Sequence, residues 1–270
     1  MRNTEPGRQE TVRPLWLEAD SLRDRVAEAS ALYAFFSFDA ALAQRVAHGH
    51  LRTNPAARAA LIRLCAASNT RAAVLSSRKV EMLQRRLRLH RLAYVGVHGA
   101  DIQAFGLRLV TEPDRELTEA AVQKLRRACS RQPALRAAGI ALEDRTWSLV
   151  LHLRLASPSD AIAAAESFGA LVAGADLQLR RGDDTLEACA PASSLSGAAL
   201  GLLAGFRGAL AVYVGSSEAD EEGFTAFNRQ GGITVLVGAT PHGGTAARFQ
   251  VADTGEVIRL IHWLADARRR

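Results

Sequence analysis

The sequence predicts an α/β chain built on a parallel sheet, with a smaller α+β unit inserted into it. Short apolar runs and amphipathic stretches alternate over the first hundred residues or so. The rhythm changes after about residue 110, where apolar and polar positions partly alternate in strand-like pairs, and it returns from Ser194. Strand–helix alternation with short links is the pattern of a parallel sheet covered by helices, whereas strand pairs beside two helices form a small α+β unit.

Residues 31–38 are apolar and aromatic-rich, as in a strand buried on both faces. Asn54 is a natural N-cap, with Pro55 at the first helical position of a helix reaching about residue 67. A second buried strand spans 71–75 and a third spans 92–97. Between them, 78–89 is amphipathic, with Val80, Leu83 and Leu87 on one face. Helices are expected over 118–129 and 157–172, and strands over 140–142, 147–153, 177–179 and 185–188. The last part holds a helix from Ser194 to about 206, a strand at 210–214, a helix at 221–228, a strand at 233–237 and a final helix over 254–267. The expected organisation is an N-terminal extension and lead-in helix (1–30), a core split into 31–108 and 190–270, and an inserted unit of 109–189. That insert is about the size of a small domain.

Composition narrows the class. Hydrophobic content of 48% is ample for a core. No apolar run approaches the roughly 18 residues of a membrane span, and residues 1–13 are polar without an apolar signal core, so a cytoplasmic chain with no membrane association is expected. Cys65, Cys129 and Cys189 are widely spaced and odd in number, which suits reduced, mostly buried thiols. The net charge of +6 comes almost wholly from arginine. Its clusters, Arg85-Arg86-Arg88 and Lys124-Arg126-Arg127, fall on helical patterns as solvated faces, and the tail at 268–270 is expected to fray. Without aromatic interleaving or a nucleic-acid motif, nucleic-acid binding is not expected.

Several short segments carry a family resemblance. Phe35-Phe36-Ser37-Phe38-Asp39-Ala40-Ala41-Leu42, at the end of the first strand, is similar to F-x-D-x-D-G-T-L. Val74-Leu75-Ser76-Ser77-Arg78 is similar to a strand ending in S-G-R, and His98-Gly99-Ala100-Asp101 to H-G-A-E. Gly139, Glu143 and Arg145 stand at the positions of G-x-x-x-E-x-K, His152 and Arg154 at those of H-Y-R, and Glu187 and Pro191 at those of E-x-R-P. Ser196-Gly197 replaces a K-G pair, and Gly215-Ser216-Ser217-Glu218-Ala219-Asp220-Glu221 is similar to G-D-D-x-T-D-E. In this order and spacing the chain resembles the trehalose-6-phosphate phosphatase branch of the haloacid-dehalogenase (HAD) superfamily. The resemblance implies a Rossmann-like core with an inserted cap and an ancestral substrate of trehalose 6-phosphate.

It also implies a specific chemistry, which these residues lack. In the superfamily an aspartate attacks phosphorus, a second aspartate two residues on acts as acid and base, a lysine adds positive charge, and Mg²⁺ neutralises the phosphate. Here the nucleophile position is Ser37, the lysine position Ser196, and the metal-ligand positions Ser216 and Ser217. Only Asp39, at the acid/base position, keeps its residue. A hydroxyl is a weak nucleophile and a poor partner for Mg²⁺, which prefers charged oxygen ligands. No cofactor is therefore expected, Mg²⁺ being required only if the chain is active. Glu218 and Asp220 are the nearby carboxylates left to bind a metal, two residues or more out of register. The serines together are expected to line a small polar pocket.

The binding half of the resemblance is better kept. It assigns Glu143, Arg145 and Glu187 to the sugar and Ser76 to the phosphate, with Arg78, His98 and Gly99 also among the expected substrate-binding residues. Bland alternatives stand beside these roles: Ser76 as a strand-end serine, Arg78 as a core ion-pair partner, His98 as a turn cap. The expectation is a trehalose-6-phosphate phosphatase-like pseudophosphatase that binds trehalose 6-phosphate, a related sugar phosphate or a trehalose-pathway enzyme. The alternatives are an active or slow trehalose-6-phosphate phosphatase with a rearranged site and a purely structural interaction module.

Overall fold

The computed structural model describes residues 12–45, 51–110, 115–182, 184–190, 194–241 and 244–269. In chain order the strands are β1 (Arg13–Pro14), β2 (Ala31–Ser37), β3 (Ala43–Arg45), β4 (Leu51–Thr53), β5 (Thr70–Leu75), β6 (Leu92–Gly96), β7 (Asp101–Ala104), β8 (Leu107–Val110), β9 (Ala141–Asp144), β10 (Ser148–His152), β11 (Gln178–Gly182), β12 (Thr185–Cys189), β13 (Ala209–Gly215), β14 (Ile233–Val237) and β15 (Phe249–Val251). The helices are α1 (Ala19–Glu28), α2 (Pro55–Ala66), α3 (Val80–Leu87), α4 (Arg115–Cys129), α5 (Pro158–Ala173), α6 (Leu195–Ala204), α7 (Glu221–Arg229) and α8 (Thr254–Ala267).

Nine strands form the main sheet, in the order β1-β15-β14-β13-β2-β5-β6-β7-β8. It is parallel from β1 to β6, and β7 and β8 add an antiparallel edge. Central β2 is buried along its whole length. Leu32, Ala34 and Phe36 pack with Leu61 of α2, Leu83 of α3 and Ile261 of α8, while Tyr33 and Phe35 pack with Ala199 of α6 and Phe227 of α7. A strand covered on both faces must be apolar at successive positions, which is why 31–36 shows no polar alternation. Truncating Phe35 or Phe36 to alanine would cost about 3–5 kcal/mol.

Helix boundaries follow local chemistry. Asn54 caps α2 by accepting from the Ala56 amide at 2.9 Å, with Pro55 in the first turn. Ser157 caps α5 and Asp253 caps α8 in the same way. Val80, Leu83 and Leu87 form the buried face of α3, as their spacing requires.

The inserted unit has its own four-stranded antiparallel sheet, in the order β11-β12-β10-β9. Helices α4 and α5 cover it through a separate core that includes Val122, Leu125, Leu149, Leu151, Phe168 and Val172. The main sheet continues across the expected 108/109 boundary, since β8 runs Leu107–Val110. The three cysteines are free and buried.

The C-terminal tail departs from expectation. Arg268 does not fray: it is buried, and its guanidinium donates to the carbonyls of Val26 (3.1 Å), Ala29 (2.5 Å) and Ser68 (3.2 Å). Carbonyls left free after α1 and α2 supply the acceptors, so the cation tethers three segments together. Arg270 lies outside the described residues.

The strand order places the site. From β2 the chain moves outward through β5 and β6, then returns to lay β13 on the other side of β2. Such a reversal opens a crevice beyond the carboxyl ends of the two strands, where parallel α/β sheets receive ligands.

Candidate functional site

Four turns at the carboxyl ends of core strands face that crevice. They carry Ser37 and Asp39 after β2, Ser76 to Arg78 after β5, Val97 to Gly99 after β6, and Ser216 to Asp220 after β13. The cap contributes Glu143 and Arg145 from β9 and the turn beyond it, Ser148 and His152 from β10, and Glu187 from β12.

Ser37 and Asp220 meet across the strand reversal. Ser37 Oγ donates to Asp220 Oδ1 at 2.5 Å, and the Tyr213 hydroxyl donates to the same oxygen at 3.1 Å. Asp220 Oδ2 accepts from the Ser216 amide (2.9 Å), the Ser217 amide (3.1 Å) and Ser217 Oγ (3.0 Å). Asp220 is thus 2% exposed and fully hydrogen-bonded, with no cation among these partners. Burial, then the adjacent carboxylate, pushes the Tyr213 phenol well up, which keeps it a donor. A Cβ at Gly215 would overlap the Asp220 side chain, so glycine is what lets the carboxyl fold back under its own loop.

A second network joins core to cap. Asp39 Oδ1 accepts from Arg78 Nε at 3.1 Å, and Asp39 Oδ2 from Ser76 Oγ at 3.2 Å. Arg78 Nη1 donates to Glu143 Oε1 at 3.0 Å. Arg145 Nη2 donates to Glu143 Oε2 at 2.8 Å, where His152 Nε2 also stands at 3.0 Å. Arg145 Nη1 donates to Ser77 Oγ at 2.5 Å and lies 3.5 Å from Glu187 Oε1. Glu187 accepts from Ser148 Oγ at 2.5 Å. His98 Nε2 is 3.1 Å from Glu187 Oε1, close enough for an ion pair but not aligned as a hydrogen bond. Charges therefore alternate from Asp39 through Arg78, Glu143 and Arg145 to Glu187, crossing from core to cap at Arg78–Glu143. Burial resists ionisation of both glutamates, but His152 and the two arginines hold Glu143 far below the usual carboxylate range. His98, Arg145 and Ser148 hold Glu187 down to about 2. Apolar contact supports the same seam, where Trp147 of the cap packs on Val97 and Ala100.

The turn at 97–99 is unusual. Val97 and His98 both have positive φ, 50° and 53°, a region that a β-branched residue such as valine rarely enters. A Cβ on Gly99 would run into the Ser194 carbonyl, so Gly99 serves the close approach of α6 to this turn. Ser196 does not join Ser37 and Asp220. It is buried at the start of α6, and its hydroxyl shares a 2.8 Å hydrogen bond with Ser194, the cap of that helix. The expected single serine pocket thus resolves into separate local caps. Pro191 lies outside the described residues, and Arg154 is exposed on the cap.

These donors do not fit Mg²⁺, which needs several free oxygen ligands in near-octahedral array. Both Asp220 oxygens are taken by protein donors, and Asp39 is taken by Arg78 and Ser76. Among the described residues no three of His, Cys, Asp and Glu gather as a metal-holding group. Nor, among those residues, is any helix long and apolar enough to cross a membrane.

Sequence reasoning named most of these residues but missed Ser77, Ser148 and Tyr213. Tyr213 lies in an apolar strand run, where its ring reads as core and its hydroxyl gives no signal. Ser77 acquires its role only when the cap folds over the core, and Ser148 only when β10 pairs with β12.

The trehalose-phosphatase family model matches residues 35–254. Trehalose-6-phosphate phosphatase of Escherichia coli (strain K12) is 28% identical over 247 residues, covering 89% of each chain. The C-terminal domain of C. albicans trehalose-6-phosphate phosphatase superposes with a TM-score of 0.79 at 16% identity, over 96% of this chain and 99% of that one. The C-terminal domain of Candida albicans trehalose synthase regulatory protein gives 0.68 at 14% identity, over 96% and 100%. At those identities the superpositions establish the fold, a HAD-like core carrying a cap.

Proposed function

Because the chain belongs to the trehalose-phosphatase family, we propose that it is a pseudophosphatase that binds trehalose 6-phosphate, a related sugar phosphate or a trehalose-pathway enzyme without hydrolysing phosphate. The Ser37–Asp220 contact carries this reading. The position that should attack phosphorus holds a neutral hydroxyl committed to a carboxylate, and that carboxylate has no lone pair left for a metal. Tyr213, Ser217 and the amides of 216 and 217 fill the remaining acceptor sites of Asp220, so the carboxylate is committed to a structural shell. Asp39, the retained acid/base position, is engaged by Arg78 at one oxygen and by Ser76 at the other.

The partner half of the reading draws on the fold's appearance in the C-terminal domain of a trehalose synthase regulatory protein. Calorimetric titration of trehalose 6-phosphate with Mg²⁺ present, with released phosphate measured in parallel, tests the proposal. Saturable heat without phosphate release is the expected result. Sustained phosphate release would make the chain a slow phosphatase instead.

One observation favours a second reading, an interaction module with no small ligand. Glu143, Arg145 and Glu187, the residues assigned to the sugar, are satisfied by one another and by core groups. Absence of any heat with trehalose 6-phosphate would select it.

A further inference from the structure

Glu143 sits where three donors converge. Arg78 Nη1 reaches Oε1 at 3.0 Å, Arg145 Nη2 reaches Oε2 at 2.8 Å, and His152 Nε2 stands 3.0 Å from Oε2. One guanidinium comes from the core and the other from the cap. The fork of a guanidinium matches the oxygens of a carboxylate and of a phosphate equally well. Ser77 Oγ lies against the same Arg145, at 2.5 Å from Nη1. Arg145 Nε is buried and has no hydrogen-bond partner among the described residues. Two guanidiniums and an imidazole thus converge on one carboxylate, and Arg145 Nε remains unused beside it.

Glu143 is also the member best placed to leave. Its side chain is 34% exposed, against 18% for Arg78 and 12% for Arg145. It stands on β9, the edge strand of the cap sheet, which pairs with β10 alone. Both arginines keep other partners when Glu143 swings out: Arg78 retains Asp39, and Arg145 retains Ser77 and Glu187.

We propose that Glu143 is an internal anion holding the place of a phosphate-class oxyanion, which binds by exchanging with it at Arg78 and Arg145. The proposal rests on the reading of this seam as a ligand site, and it reverses the role the sequence suggested for Glu143. Exchanging one carboxylate for one singly charged oxyanion leaves the local charge unchanged. Binding beside a Glu143 that stays in place would set like charges a few ångströms apart, which is unfavourable. Glu143 thus competes with the ligand's anionic end, so that the empty seam stays closed and paired.

The test is titration of inorganic phosphate into the full chain at fixed ionic strength, followed by calorimetry, for the wild type, Glu143→Gln and Glu143→Ala. Both variants are expected to bind phosphate more tightly, on the order of tenfold, the equivalent of one charge-assisted hydrogen bond no longer in competition. Adding Arg78→Lys, which cannot fork onto two oxygens, should remove most of the gain. Equal or weaker phosphate binding by both Glu143 variants would overturn the proposal. Trehalose 6-phosphate titrated into the wild type decides the underlying reading separately. A wild type that ignores it while the variants gain phosphate affinity would sink the sugar-phosphate reading and leave the exchange standing. A wild type that binds it while both variants lose phosphate affinity would do the reverse.

Discussion

Ser37 Oγ donates to Asp220 Oδ1 across 2.5 Å, joining the end of β2 to the turn after β13 at the point where the strand order reverses. Phosphoryl transfer in this family calls for two facing carboxylates at such a point, drawn together by a cation. Here the nucleophile position is Ser37 and the metal-ligand positions are Ser216 and Ser217, and the carboxylate that remains, Asp220, is satisfied by hydrogen-bond donors without a cation. Ser217 and the amides of 216 and 217 complete the shell around Asp220. The loop that would present a metal ligand is instead wrapped around a buried acceptor.

Ser37→Asp should therefore destabilise the chain even though it restores the family residue. It would set a second carboxylate at hydrogen-bond distance from a buried one, at a cost of about 2–4 kcal/mol. Pairing it with Asp220→Asn should regain part of the loss, with a coupling of at least about 1 kcal/mol in a double-mutant cycle. Urea unfolding midpoints measure both quantities. A Ser37→Asp chain as stable as the wild type would show that the contact contributes nothing.

Magnesium should leave the wild type's melting temperature unchanged, because the acceptor sites of Asp220 are filled and Asp39, already bonded to Arg78 and Ser76, has no second carboxylate beside it among the described residues to share an ion. Ser37→Asp/Ser216→Asp should behave differently, losing stability without the ion and regaining it with the ion. At Mg²⁺ about tenfold above its Kd the gain is about 1.4 kcal/mol, or about 3–5 °C for a chain of this size. Calorimetric melting with Mg²⁺ and with chelator reads the difference. A Mg²⁺-dependent rise in the wild type would mean that the hydrogen-bonded shell opens to admit the ion.

The sequence was most informative where one physical rule acts locally. The apolar runs at 31–36 and 233–237 become buried parallel strands. Asn54-Pro55 starts α2, and the Val80–Leu83–Leu87 spacing forms the inner face of α3. Motif positions located the site because parallel sheets gather their strand ends in one crevice. What could not be read was pairing. Nothing in residues 143–145 says that Glu143 pairs with Arg78 or that Arg145 donates to Ser77, since those contacts depend on how the cap sits on the core. The same holds for the scattered serines: Ser196 turns to Ser194, and Ser217 turns to Asp220. The β7–β8 edge was missed because its short alternating segments sit where the α/β rhythm was already breaking.

Arg268→Ala should be among the more damaging substitutions outside the site. Three carbonyls, those of Val26, Ala29 and Ser68, accept from its guanidinium in a buried setting. Removing the cation leaves buried acceptors unmet, at about 2–3 kcal/mol. Arg268→Lys should recover only part, because an ammonium cannot spread over the three acceptors as the planar fork does. A truncation ending at residue 267 should match the alanine variant in chemical denaturation. A tail that truly frayed would leave all three chains equally stable.

Acidification should loosen the core–cap seam through Glu187. Its carboxyl, ordinarily near 4.5, is held at about 2 because His98, Arg145 and Ser148 outweigh the opposing effect of burial. A carboxylate held below its unfolded value contributes stability that is complete above the unfolded pKa and lost as pH falls through the folded one. The window is therefore from about 4.5 down to about 2, and the contribution at neutral pH is about 3 kcal/mol. Glu187→Gln should lower stability at neutral pH and flatten the acid limb, since the amide keeps the Ser148 contact and has no proton to bind. Urea midpoints for both chains between about pH 7 and about pH 3 should converge as pH falls. Glu143 and Glu81, present in both chains and also held below the usual carboxylate range, keep part of the acid sensitivity. If the two curves run parallel down to the acid end, Glu187 is not the group that titrates, and the seam is held by its arginines and by the packing of Trp147 on Val97.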